Sequence, residues 1–138
     1  MTGRPLARAA LGAAAIDAAV ILVFAVAGRQ EHKTGTTVGG VLGVAAPFLI
    51  GAAAGWLLVL TTRQPPLAWR AGFIVWAATV VLGLAARWLL WDRGIALSFV
   101  IVTAIVLGLL MFAWRALHVF AGGRQQVRSL APPSKADR

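Results

Sequence analysis

Apolar residues fill four long stretches of the chain, at 9–28, 38–60, 71–91 and 95–114, and polar residues gather in the links between them. Each stretch has about the 20 residues that an α-helix needs to cross the hydrocarbon layer of a membrane. Two of the runs contain no charge, and the other two carry one each, Asp17 in the first and Arg87 in the third. The link Asp92-Arg93-Gly94 is too short to reach anything but an adjacent antiparallel helix, whereas the links at 29–37 and 61–70 are longer. The pattern predicts an all-α membrane protein. Its fold is an antiparallel bundle of four transmembrane helices within residues 1–118, followed by a basic, disordered tail over 119–138.

Composition agrees with this assignment: 60% of the 138 residues are hydrophobic, 12% are charged, and the mean hydropathy is +0.85. The apolar run after Arg8 imitates a secretory signal, with small residues at Ala25 to Gly28. A mid-run Asp and the length of the run argue against cleavage. Charge also sets an expected orientation, because Lys and Arg near span ends stay on the cytoplasmic side. Nine of them, Arg4, Arg8, Arg63, Arg70, Arg115, Arg124, Arg128, Lys135 and Arg138, fall at the end that carries both termini, against Arg29, Lys33, Arg87 and Arg93 at the other. Both termini are therefore expected in the cytoplasm, with the net charge of +9 forming a collar toward anionic lipid headgroups. The basic tail has no interleaved aromatic residues, and nucleic acid is not an expected partner.

The chain has no cysteine, which excludes thiol catalysis, disulfide exchange and Cys-ligated metals. His32 and His118 fall at opposite ends of the bundle, so paired ligation of one haem is not expected, and no cofactor is implied. No phosphate loop, HExxH or GxSxG motif occurs.

Within the runs, small and polar residues recur at helical spacing. Gly39, Gly43, Pro47, Gly51 and Gly55 form a row in the second run, where another backbone can approach closely. Pro47 interrupts one backbone hydrogen bond and is expected to kink or hinge that helix. In the third run Gly72, Trp76, Thr79, Gly83 and Arg87 share one face, with Trp76 deep enough to wall a pocket. Trp56, Trp69, Trp88, Trp91 and Trp114 lie near predicted span ends, as interfacial indoles do. Ala10, Ala13 and Ala14 share a face with Asp17, so the carboxylate is expected to point into the bundle.

Taken in order, Asp17, Gly28-Arg29 with His32, Pro47-Phe48 with Gly51, Thr79, Gly83, Arg87, the segment Leu97 to Val102, and the closing Trp114-Arg115 resemble the DUF3054 family of prokaryotic four-helix membrane proteins. The resemblance covers Asp17 to about Arg115. It implies the fold and a place in the prokaryotic cell membrane, and no reaction. A weaker likeness to small multidrug transporters rests on four helices and an acid in the first; this chain has Asp in place of Glu and lacks tyrosine altogether.

An Asp in mid-span costs about 2.5–3.5 kcal/mol on insertion scales, so it is expected to be paired, protonated or hydrated. One account is structural, an interhelical hydrogen bond to Thr79 or Thr103. Direct pairing with Arg87 fits poorly, since that residue lies about 10 Å further along the bundle. The other account is functional: Asp17 exchanges a proton below an outward cluster of Arg29, His32 and Arg87, with Thr79 and Trp76 alongside. The corresponding functions are a small proton-coupled carrier, or a non-catalytic subunit of a larger complex or homo-oligomer that packs through Gly43, Pro47, Gly51 and Gly55. An enzyme ranks last, because no nucleophile, metal set or carboxylate pair can be assembled.

Overall fold

The computed structural model describes residues 3–31, 37–91 and 95–129, which form four α-helices: α1 (Gly3–Glu31), α2 (Val38–Thr61), α3 (Trp69–Trp91) and α4 (Leu97–Ser129). His32, Lys33, the link at 92–94 and the tail beyond residue 129 lie outside the described residues. Each helix contains a stretch long and apolar enough to cross a membrane, at Leu6–Arg29, Val38–Thr61, Trp69–Leu90 and Leu97–Gly122. The fourth differs from the sequence expectation. The helix runs on through the first half of the expected tail, because Arg124, Gln125, Gln126 and Arg128 are good helix formers and no proline intervenes before Pro132.

The helices alternate in direction. Along α1 and α2, Phe24 meets Phe48 and Asp17 meets Trp56; along α2 and α3, Gly51 lies against Gly83 and Gly55 against Val75; along α3 and α4, Gly72 faces Arg115 while Trp76 faces Ala104. In each pair one number rises as the other falls, so neighbours are antiparallel, and α4 closes the ring against α1. The described end of α1 from which the chain starts, the α2–α3 link and the late part of α4 thus share one end of the bundle.

Local chemistry fixes the helix ends. Thr37 caps α2 by accepting the Gly40 N–H at 3.2 Å. At the other end of α2 the Arg63 N–H donates to the Leu60 carbonyl and the Gln64 N–H to the Val59 carbonyl, and Arg63 takes a left-handed φ of 53°. These are the two bonds of a Schellman cap, here with arginine where glycine is usual. Pro65 and Pro66 then end any continuation.

The most extensive contact joins α2 to α3. A Cβ on Gly51 would stand 2.8 Å from the Ala78 carbonyl oxygen and 2.9 Å from the Gly83 nitrogen, and one on Gly55 2.8 Å from the Val75 Cα. These glycines place backbone on backbone. Gly83 repeats the device from the other side, under the ring of Phe48. The expected glycine row therefore divides: Gly51 and Gly55 pack inside the bundle, while Gly39 and Gly43 have open space where a Cβ would point. Pro47 is fully buried within a helix that continues unbroken from Val38 to Thr61. A second cluster at the far end seats Phe48 between Phe24, edge to face at 5.7 Å, and Phe99 at 6.4 Å.

Polarity is distributed in the reverse of a water-soluble bundle. Asp17, Thr79, Thr103 and Arg115 are buried at 0–1% exposure, while Leu57, Val81, Leu89, Ile105 and Leu109 point outward at more than half exposure. Replacing Gly51 by Leu should cost about 1–3 kcal/mol through overpacking against α3. The same change at Gly43 should stay within about 0.5 kcal/mol. Equilibrium unfolding of both variants in detergent micelles checks this; equal losses would mean that α2 is gripped along its whole length.

Candidate functional site

The site is built around Asp17, at the middle of α1, whose carboxylate faces inward beside the buried Ala10 and Ala13. Arg115 on α4 meets it with both terminal nitrogens, Nη1 to Oδ1 and Nη2 to Oδ2, each at 2.9 Å. The planar guanidinium fork matches the carboxylate, a geometry that Lys could not reproduce. Two indoles complete the shell: Trp56 on α2 donates to Oδ2 at 3.1 Å and Trp114 on α4 to Oδ1 at 2.9 Å. Each carboxylate oxygen thus accepts two N–H groups.

Arg115 is held in turn. Its Nη1 also donates to the Met111 carbonyl at 3.0 Å, and its guanidinium carbon lies 4.5 Å from the Trp114 ring centroid. The contribution of α3 is an absence. A Cβ on Gly72 would fall 2.8 Å from Arg115 Nε and 2.9 Å from its Cδ, so only glycine leaves space for the arginine stem. All four helices therefore meet at one ion pair.

The structural partners expected for Asp17 are not the ones it has. Thr79 donates instead to the Val75 carbonyl of its own helix at 2.6 Å, and Thr103 Oγ1 is buried with no hydrogen-bond partner among the described residues. Trp76 walls no pocket around Asp17. Its indole donates to the Ala104 carbonyl at 3.0 Å above Gly108, tying α3 to α4. Arg87 lies 4.6 Å over the Phe99 ring of α4, and the Arg29 guanidinium covers Gly40 at the start of α2. His32 is outside the described residues.

Three residues of the site differ from the sequence expectation, which puts Arg115 in the basic collar and Trp56 and Trp114 in the interfacial belt. A signal for Arg115 exists. The apolar stretch of α4 does not end at Trp114 but continues through Ala116, Leu117, Val119 and Phe120 to Gly122, which puts the arginine inside the run. The belt assignment suits Trp69 and Trp88, both more than half exposed near opposite ends of α3.

Two apolar grooves on the surface are lined by none of the residues that bond Asp17. One, of about 470 Å³, is lined by Trp69, Arg70, Phe73, Ile74 and Phe112, and another, of about 380 Å³, by Leu22, Val23, Val26 and Ala27. Among the described residues no three His, Asp, Glu or Cys side chains come together as metal ligands.

A family model described as "Protein of unknown function (DUF3054)" matches residues 14–118, and the chain belongs to that family. Comparison with curated proteins and with solved structures finds no match. Every member of the ion-pair site falls within the matched residues.

Trp56→Phe and Trp114→Phe each delete one donor to a buried carboxylate and should cost about 1.5–3 kcal/mol. Trp88→Phe, at an exposed position, should change stability by less than about 0.5 kcal/mol. Unfolding curves in detergent decide it, and three equal values would contradict the indole bonds to Asp17.

Proposed function

We propose that this member of the DUF3054 family is a multi-pass integral protein of a prokaryotic cell membrane, with both termini cytoplasmic. In this proposal it serves as a non-catalytic subunit of a larger membrane assembly rather than as a proton-coupled carrier. The observation that carries the choice is the sealed carboxylate. Asp17 is fully buried, and its two oxygens are filled by Arg115, Trp56 and Trp114. A carrier needs a hydrated cavity that reaches its acid and polar groups to receive the substrate. Here the groups around the acid are spent on one another, with two N–H donors on each carboxylate oxygen.

The membrane location is supported by the four apolar helices and by their inverted polarity, since outward Leu, Val and Ile side chains are stable in hydrocarbon and costly in water. The orientation is supported by the division of Lys and Arg between the two ends, eight against four once the buried Arg115 is left out. The role of a subunit is supported by surface that the described residues leave uncovered. Gly39 and Gly43 are open beside exposed Val38 and Leu42, and α4 has the smallest buried share of the four spans.

The test is made in proteoliposomes and in membranes. Liposomes holding the purified chain should hold a pH gradient as well as empty ones, and the tagged chain expressed at its native level should migrate in mild detergent within an assembly larger than the monomer. A proton leak that Asp17→Asn abolishes would establish the carrier instead. A periplasm-active reporter should be silent after Arg138 and active after Lys33; the opposite pattern would invert the topology.

A further inference from the structure

The groove between the start of α3 and the middle of α4 has a composition of its own. Its floor and walls are Trp69, Phe73, Ile74 and Phe112, and Arg70 stands among them as the one charge lining it. The rings are interlocked: Trp69 stacks on Phe112 at 5.9 Å and 18°, Phe112 reaches Trp76 at 6.2 Å, and Trp76 reaches Phe73 at 5.5 Å. The Trp76 bond to Ala104 anchors this cluster to both helices, so the groove is preformed. Trp69 and Phe73 are nonetheless 52% and 58% exposed, and Arg70 is exposed beside them.

Two features decide what fits there. The groove opens on the outer wall, its cation in the first turn of α3 and Phe73 and Ile74 one turn further into the span, which is the layout of an amphiphile with an anionic head. No ion pair among the described residues answers the charge of Arg70. The four acids of the chain are Asp17, Glu31, Asp92 and Asp137; Asp17 is consumed by Arg115, and no Asp or Glu occurs from residue 61 to 90 or from 95 to 129. A volume of about 470 Å³ is in the range of specific small-molecule sites.

We propose that this groove is a binding site for one anionic phospholipid, its headgroup phosphate on Arg70 and an acyl chain along Phe73, Ile74 and Phe112. The inference rests on the membrane location proposed above. Arg63 lies at the same end of the bundle, exposed and outside the groove, and contributes only to the general collar.

The experiment has two arms. In the first, the full chain is reconstituted in phosphatidylcholine vesicles and floated after carbonate washing; a chain that fails to float overturns the membrane location and the lipid site together. In the second, native mass spectrometry from detergent with equal phosphatidylglycerol and phosphatidylcholine counts retained lipid. The native chain should keep one phosphatidylglycerol in preference, Arg70→Gln should reduce that retention about fivefold, the effect of one cation at an anionic surface, and Arg63→Gln should not. Phe73→Ala should weaken retention of either lipid. Inorganic phosphate at millimolar concentration should not displace the lipid. A floating chain that retains both lipids equally, or for which Arg63→Gln equals Arg70→Gln, or from which phosphate alone removes the lipid, overturns the site and leaves the membrane location standing.

Discussion

A charge buried in a helical bundle must be answered at once by another charge and by hydrogen bonds, since moving each ion out of water costs several kcal/mol even after relaxation. The Asp17–Arg115 pair meets that constraint completely on the carboxylate side, with four N–H groups on two oxygens and neither residue more than 1% exposed. The requirement propagates outward. It sets the rotation of α1 and α4 so that the two side chains face, brings Trp56 of α2 within reach of Oδ2, and forbids a side chain at Gly72 of α3. A pair of this kind is not strong evidence of net stability, since apolar residues of similar volume can serve as well. What it supplies is a unique register, because any slip of one helix leaves a buried charge without its partner.

The remainder of the bundle is organised by close backbone approach. Gly51, Gly55 and Gly83 let α2 and α3 meet at their main chains, which gives the dispersion contacts on which small-residue helix crossings rest. The more lightly attached α4 is held at three levels, by Phe99 beneath Arg87, by the Trp76 indole on Ala104, and by Arg115 on Asp17. The aromatic groove by Arg70 lies on the outer side of the same α3–α4 seam, next to the level of the ion pair.

Much of this was legible in the sequence. The number of helices, their antiparallel order and the inward face of Asp17 follow from run length, link length and alanine spacing. The mutual position of distant residues was not. Arg115 is 98 positions from Asp17, and a basic residue near the end of an apolar run reads as an interfacial cation unless the apolar residues beyond it are counted into the span. Trp56 and Trp114 carry the same ambiguity, because an indole suits an interface and a buried acid equally well. Thr79 looked like a partner because it is a hydroxyl on an inward face, yet in a helix such a hydroxyl can bond its own preceding turn, and it does so at Val75. Of the glycine row, spacing alone could not tell that Gly51 is covered and Gly43 open.

The central claim is that the ion pair is a mutual constraint between helices rather than a site for proton exchange, and a double-mutant cycle in equilibrium unfolding tests it most directly. Asp17→Leu and Arg115→Met are measured singly and together in lipid–detergent micelles. Each single change should cost about 3–5 kcal/mol by stranding the opposite charge, and the double variant should recover most of that loss. Single changes that leave stability untouched, or costs that simply add in the double variant, would contradict the account.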